Sequence, residues 1–234
     1  RRQNQSAGAI FDTTPADPET STFSATGSVT ITGGSFAVKA DAGGGGNAAI
    51  ATGMMQVMQQ AVVDLTVSNA TGIFAQHQES LYVTGQYNAV LEGSSTGNVV
   101  VSALKNLVVD GKGAFTATAK DQSKGSITVD VGGDMILMDE GQFNITMRDD
   151  SGDNNGNSVT AVAVAVAKKL LVSDKAQFNA TMQAPTHNTP DDNMGSAAKM
   201  VVSLAGPAEL SDQAQFNLVM NDDSSGANAA VAAR

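Results

Sequence analysis

The sequence predicts an all-β fold, a repeat-built β-solenoid or stack of β-arches that polymerises into a fibre, and three observations lead there. The nonapeptide DKAQFNATM at 174–182 returns as DQAQFNLVM at 212–220, and internal repetition at such spacings marks stacked architectures. Within each copy the residues alternate strictly. Phe178, Ala180 and Met182 share one face, while Asn179, Thr181 and Gln183 share the other, which is the period of a strand and not of a helix. The composition is rich in small and β-branched residues, with 24 glycines, no tryptophan and 4% aromatics, and that suits closely packed sheets better than a bulky globular core. The alternative compatible with the same pattern is a two-sheet β-sandwich of the pilin type.

Residues 1–27 read as an N-terminal extension expected to pair with a neighbouring subunit, and 28–234 as a single β-repeat domain of about six units. Aligned on the aromatic position, the units contain SFAVKAD (35–41), QYNAVLE (86–92), AFTATAK (114–120), QFNITMR (142–148), QFNATMQ (177–183) and QFNLVMN (215–221). The long interval between Phe36 and Tyr87 leaves room for an irregular unit, expected around Phe74. The stretch 48–65 has the Ala, Met and Gln of a helix former. The repeat register and the β-branched Val57, Val62, Val63 and Val67 favour a strand instead.

From Tyr87 onward the aromatic recurs at Phe115, Phe143, Phe178 and Phe216, with the last two intervals longer than the first two. Each aromatic strand is preceded by another, as in NVVVSALKNLVVD (98–110) and SAAKMVVSLAGPAELSD (196–212). Turn residues such as DGKG, DEG and SDKA separate the two, a hairpin or solenoid-corner signal. In SVTAVAVAVA (158–167) both faces are apolar, which predicts cover on both sides. Stacked copies would bring Phe over Phe and Asn over Asn at ~4.8 Å. The expected structural ladder therefore comprises Gln86, Tyr87 and Asn88; Phe115; Gln142, Phe143 and Asn144; Gln177, Phe178 and Asn179; and Gln215, Phe216 and Asn217.

Charge excludes one class of partner. A net charge of −10 with 13 scattered Lys and Arg offers no basic patch for nucleic acid. No stretch reaches the ~20 apolar residues of a membrane helix. There is no cysteine, so the chain has no disulfide framework, zinc thiolate or thiol nucleophile. The composition suits a secreted, extracellular or cell-surface protein whose export signal has been removed.

Catalytic constellations are sparse, and no enzyme activity is expected. His77 and His187 lie far apart in the sequence without local partners and read as solvated loop histidines. The loop 149–157 is dense in oxygen ligands, and Asp149, Asp150, Asp153 and Asn155 form a candidate calcium site; no other cofactor is expected. It lacks the glutamate of an EF-hand, and its bland reading is a solvated turn. Gly43–Gly46 lack the Lys-Ser/Thr of a phosphate loop.

Gly97-Asn98-Val99-Val100-Val101 and, more loosely, Gly156-Asn157-Ser158-Val159 resemble the Gly-Asn-Val element of the Fap family of bacterial biofilm amyloid subunits. The Gln-aromatic-Asn triplets at 86–88, 142–144, 177–179 and 215–217 are similar to that family's Gln-x-Asn-x-Leu strand; curlins are a more distant likeness. The resemblance implies a structural subunit of an extracellular self-assembling filament, polymerising head to tail with copies of itself. The competing expectation is a binding or adhesion module, such as a pilin-like or phage-fibre β domain, using loops like APTHNTPDDNMG (184–195).

Overall fold

A computed structural model of the chain describes residues 3–5, 9–13, 21–41, 46–93, 95, 97–120, 125–148, 161–183, 199–221 and 228–233. The chain coils through three strands per turn. The first two turns contain β1 (Gln3–Gln5), β2 (Ala9–Thr13), β3 (Ser21–Ser24), β4 (Val29–Ile31), β5 (Gly34–Asp41) and β6 (Asn47–Thr52). The next two contain β7 (Met55–Val57), β8 (Ala61–Ser68), β9 (Gly72–His77), β10 (Leu81–Val83), β11 (Gln86–Glu92) and β12 (Val99–Ala103). Turns five and six follow with β13 (Leu107–Val109), β14 (Ala114–Ala119), β15 (Ser126–Val131), β16 (Met135–Leu137), β17 (Gln142–Arg148) and β18 (Ala161–Val166). Turns seven and eight add β19 (Leu170–Val172), β20 (Gln177–Gln183), β21 (Lys199–Leu204), β22 (Ala208–Leu210), β23 (Gln215–Asn221) and β24 (Asn228–Ala233).

Each of these strands pairs in parallel with the strand three places away, giving three eight-stranded sheets. A short-strand sheet runs from β1 to β22, an aromatic sheet from β2 to β23, and an alanine–valine sheet from β3 to β24. Parallel pairing across a whole turn is the topology of a solenoid. A sandwich built from hairpins would pair sequential strands antiparallel, so the pilin-like alternative does not describe this chain. The three inner faces share one hydrophobic core that continues from turn to turn, as expected when each turn buries its apolar side only against its neighbours.

The third strand per turn is hidden in the sequence because the run before each aromatic strand is bent, not straight. NVVVSALKNLVVD divides into β12 and β13, with Leu104 turned out and 64% exposed. The same corner recurs at Gly132-Gly133-Asp134, Ala167-Lys168-Lys169 and Ala205-Gly206-Pro207. Backbone bonds from one corner to the next hold it, such as Lys105 N–H to Glu79 C=O at 2.7 Å and Lys168 N–H to Gly133 C=O at 3.1 Å.

The corner before each of β14, β17, β20 and β23 is a tight turn closed by a bond from the fourth residue to the first. Gly141 N–H donates to Met138 C=O at 2.9 Å and Ala176 N–H to Ser173 C=O at 3.1 Å. The second residue has positive φ: Gly111 at 61°, Asp139 at 57°, Asp174 at 60° and Asp212 at 60°. Glycine and aspartate are among the residues that tolerate this conformation, which explains DGKG, DEG, SDKA and SDQA.

Four expectations need correction. Residues 1–27, expected as an extension pairing with a neighbouring subunit, supply β1, β2 and β3, which pair with β4, β5 and β6 of the same chain. The described residues form eight turns, seven of them within 28–234, where about six units were expected. The irregular unit centres on β8, where Val63 stands between Phe36 and Tyr87; Phe74 points outward from β9, 43% exposed. Finally, this chain by itself covers β18 on one side only: Val162, Val164 and Val166 are buried, while Ala161, Ala163 and Ala165 are half-exposed. The stretch 48–65, ambiguous between helix and strand, forms β6, β7 and the first part of β8.

Candidate functional site: the aromatic and amide ladders

The aromatic sheet brings the expected ladder residues into register across turns that differ in length. Residues 149–160 and 184–198 lie between an aromatic strand and the next alanine–valine strand, and they do not shift the pairing. Phe143 still pairs with Phe178 and Phe178 with Phe216. The longer intervals between these rings therefore leave the register of the aromatic sheet unchanged.

Inside the solenoid, Tyr87, Phe115, Phe143, Phe178 and Phe216 form a continuous column of stacked rings. Successive centroids lie 5.4, 4.9, 4.9 and 4.5 Å apart, with interplanar angles of 9°, 7°, 25° and 19°. The first four are fully buried, and Phe216 packs against the same core while partly exposed. Each such contact contributes about 0.5–1.5 kcal/mol beyond the area it buries.

On the outer face the amides form a second ladder. Asn217 Nδ2 donates to Asn179 Oδ1 at 2.8 Å, and Asn179 Nδ2 donates to Asn144 Oδ1 at 2.9 Å. Gln142 and Gln177 share this face, their Oε1 atoms accepting from Asn144 and Asn179 at 3.4 and 3.3 Å. Thr116 interrupts the column between Asn144 and Asn88, and Asn88 Nδ2 turns to Asp64 Oδ1 at 2.8 Å. Gln215 continues the register of Gln177, whereas Gln86 is separated from Gln142 by Ala114.

Gly97-Asn98 has a specific structural role at the corner leading into the alanine–valine sheet. A Cβ on Gly97 would fall on the Thr71 carbonyl oxygen, and one on Gly125 would fall on that of Gly97. Asn98 Oδ1 accepts from Ser126 N–H at 2.9 Å. Gly97 therefore has no room for a side chain here, and Asn98 caps the next turn.

His77 is not the solvated loop residue that its polar neighbours suggest. It ends β9 pointing inward, fully buried, at the position occupied elsewhere by Ala103, Val131 and Val166. Its Nδ1 lies 2.7 Å from Thr52 Oγ1 and its Nε2 lies 3.2 Å from Tyr87 Oη. Burial lowers its pKa to about 4 and pushes the Tyr87 hydroxyl upward. The available signal is register: counting by twos from Ile73 places His77 on the inner face.

Acidic residues gather instead at the exposed corner. Asp139 is held above the usual carboxylate range, first by a hydrogen bond shared with Asp110, then by repulsion from Asp110 and Asp174. A hollow of about 370 Å³ lies against Lys112, Asp139, Glu140, Asp174 and Lys175. No group of three or more His, Cys, Asp or Glu is placed to hold a metal among the described residues. The calcium candidates Asp149, Asp150, Asp153 and Asn155, with His187, lie outside the described residues. No described helix is long and apolar enough to cross a membrane.

Compared with known protein families, curated proteins and solved structures, the chain matches none.

Proposed function

We propose that the chain is a structural segment of an extracellular self-assembling filament, working through its shape and stacking surface and not through catalysis. The observation carrying this reading is that an inner aromatic ladder and an outer amide ladder run together in register over the last three turns. Each of the last three turns presents an aromatic ring, amide groups and a row of strand edges, which is a template for further parallel strands. Head-to-tail addition of copies continues such a stack without closing it into a ring. The function proposed includes export to the cell surface.

Electron microscopy of the purified chain, with the power spectrum of any filaments, tests the reading. Filaments with a layer line at ~4.8 Å along their axis are expected. Monodisperse particles at every concentration would defeat it. They would favour the second reading, a ligand-binding module, to which the corner hollow beside Lys112 and Lys175 lends specific support.

A further inference from the structure

We propose that the outer face of the alanine–valine sheet is a lateral pairing surface for a second copy of this chain, arranged with the two solenoid axes antiparallel. This goes beyond end-to-end stacking, because it uses the side of the solenoid and holds whether or not the ends polymerise.

The face is nearly uncharged in a chain of net charge −10. Its central row, from turn one to turn eight, is Thr22, Ala49, Phe74, Val100, Thr128, Ala163, Val201 and Ala230. The flanking rows add one carboxylate, Asp130, and one ammonium, Lys199. At ~4.8 Å per strand and ~3.3 Å per residue, the eight strands present roughly 650 Å² of flat surface. That approaches the ~800 Å² per partner of a stable specific interface.

The order of side chains along the face selects the partner. A two-fold axis parallel to the strands, midway between β12 and β15, keeps each residue's place along its strand and reverses the order of turns. Under that operation Phe74 lies over Ala163, Val201 over Ala49, and Val100 over Thr128. In the first two pairings a large side chain thus meets a small one, as interdigitating sheets require, and Val100 meets a side chain of its own size. Asp130 meets Ser102 and Lys199 meets Asn47, so no like charges oppose each other.

The neighbouring corner agrees independently. The same axis brings the corner of turn three, with Glu79, against that of turn six, with Lys168, and the corner of turn four, with Lys105, against that of turn five, with Asp134. The two-fold repeats both opposite-charge pairings, giving a complementary rim that fixes orientation. The aromatic sheet is a poorer candidate, because its outer amides already bond to one another.

The absence of cysteine makes the test clean. In the full-length double variant A49C/V201C the two sulfurs lie five strand spacings apart within one chain, about 24 Å, too far for an internal disulfide. Facing sheets lie ~10 Å apart, beyond disulfide reach, so the probe is a dithiol-bridging reagent of about that span, too short for the separation within one chain. It is expected to give a covalent dimer from the double variant, and at least tenfold less from either single variant, because each cysteine faces the other position across the axis. Glu79→Lys or Lys168→Glu alone should lower the cross-linked fraction, and the two together should restore it. Ala163→Lys should abolish cross-linking, whereas Thr146→Lys on the aromatic sheet should not, with circular dichroism confirming that both variants fold. Cross-linking of the single variants to the same extent, or none from the double variant even at high chain concentration, would overturn the proposal. Loss of filaments with cross-linking retained would instead count against end-to-end assembly alone.

Discussion

The buried histidine makes the solenoid sensitive to acid in a way that can be isolated. His77 is expected to titrate near 6.5 in the unfolded chain and near 4 in the folded one. Its folded pKa is depressed, so between these values the unfolded state binds the proton that the folded state refuses. Stability therefore rises with pH across this window at about 1.4 kcal/mol per pH unit. The contribution is complete above about pH 6.5, is lost progressively as pH falls toward 4, and changes no further below. The full loss is about 3 kcal/mol, a large share of the ~5–15 kcal/mol that separates folded from unfolded domains.

The assay is equilibrium denaturation of the chain and of His77→Leu at half-unit steps from pH 7.5 to 3.5. The variant leaves the Thr52 and Tyr87 hydroxyls without their imidazole partner, which costs about 1–3 kcal/mol at every pH. This offset carries no slope. Carboxylates titrate in both proteins, so the wild-type minus variant difference reports His77 alone. It should decline by about 3 kcal/mol between pH 6.5 and 4. A flat difference would show that the folded imidazole keeps an ordinary pKa, and the buried placement would then be wrong.

Three further outcomes are expected. Phe143→Ala should destabilise by about 3–5 kcal/mol, the range for a fully buried phenylalanine, and Phe216→Ala by clearly less, since its ring is partly exposed and stacks on Phe178; denaturant midpoints decide. Asn179→Ala should cost about 1 kcal/mol, because it breaks bonds to both Asn144 and Asn217, and Asn179→Thr should be milder, as Thr116 already occupies that column. Gly97→Ala should cost about 2 kcal/mol or more by the same measurement, because the turn must open where a methyl group would meet Thr71.

Much of the architecture is legible in period-two patterning, because parallel in-register stacking repeats the same face requirements every turn. The rings from Tyr87 to Phe216 and the amides from Asn144 to Asn217 can be identified from the sequence, and the sheet brings them together, whereas Asn88 stands apart behind Thr116. What the pattern hides is whatever repeats by geometry but not by residue type. Val63 holds an aromatic position without a ring, and Ala9 holds the same position in β2, so those turns do not announce themselves. The corner at 104–106 is concealed because Leu104 continues an apolar run while its side chain leaves the core. His77 shows the converse: its polarity suggests solvent, but register outweighs polarity once two hydroxyls are in reach.

That contrast bears on how the solenoid tolerates change. A turn contributes to its neighbours through backbone pairing and the inner face, so a residue is constrained by what lies one strand spacing above and below and hardly at all by its distance along the chain. Residues 149–160 and 184–198 lengthen two turns while Phe143, Phe178 and Phe216 keep their stack. Insertions there should leave stability nearly unchanged, because closing a longer loop costs only about 0.6 kcal/mol per doubling. A single residue added inside β17 would instead move its later inward residues to the outer face, pulling Ile145 and Met147 out of the core they share with β14 and β20. Inserting four glycines after Asn154 and one alanine after Asn144 compares these cases directly. The first should preserve the denaturation midpoint and the second should abolish cooperative folding, and comparable losses in both would mean that the stack is not held together turn by turn.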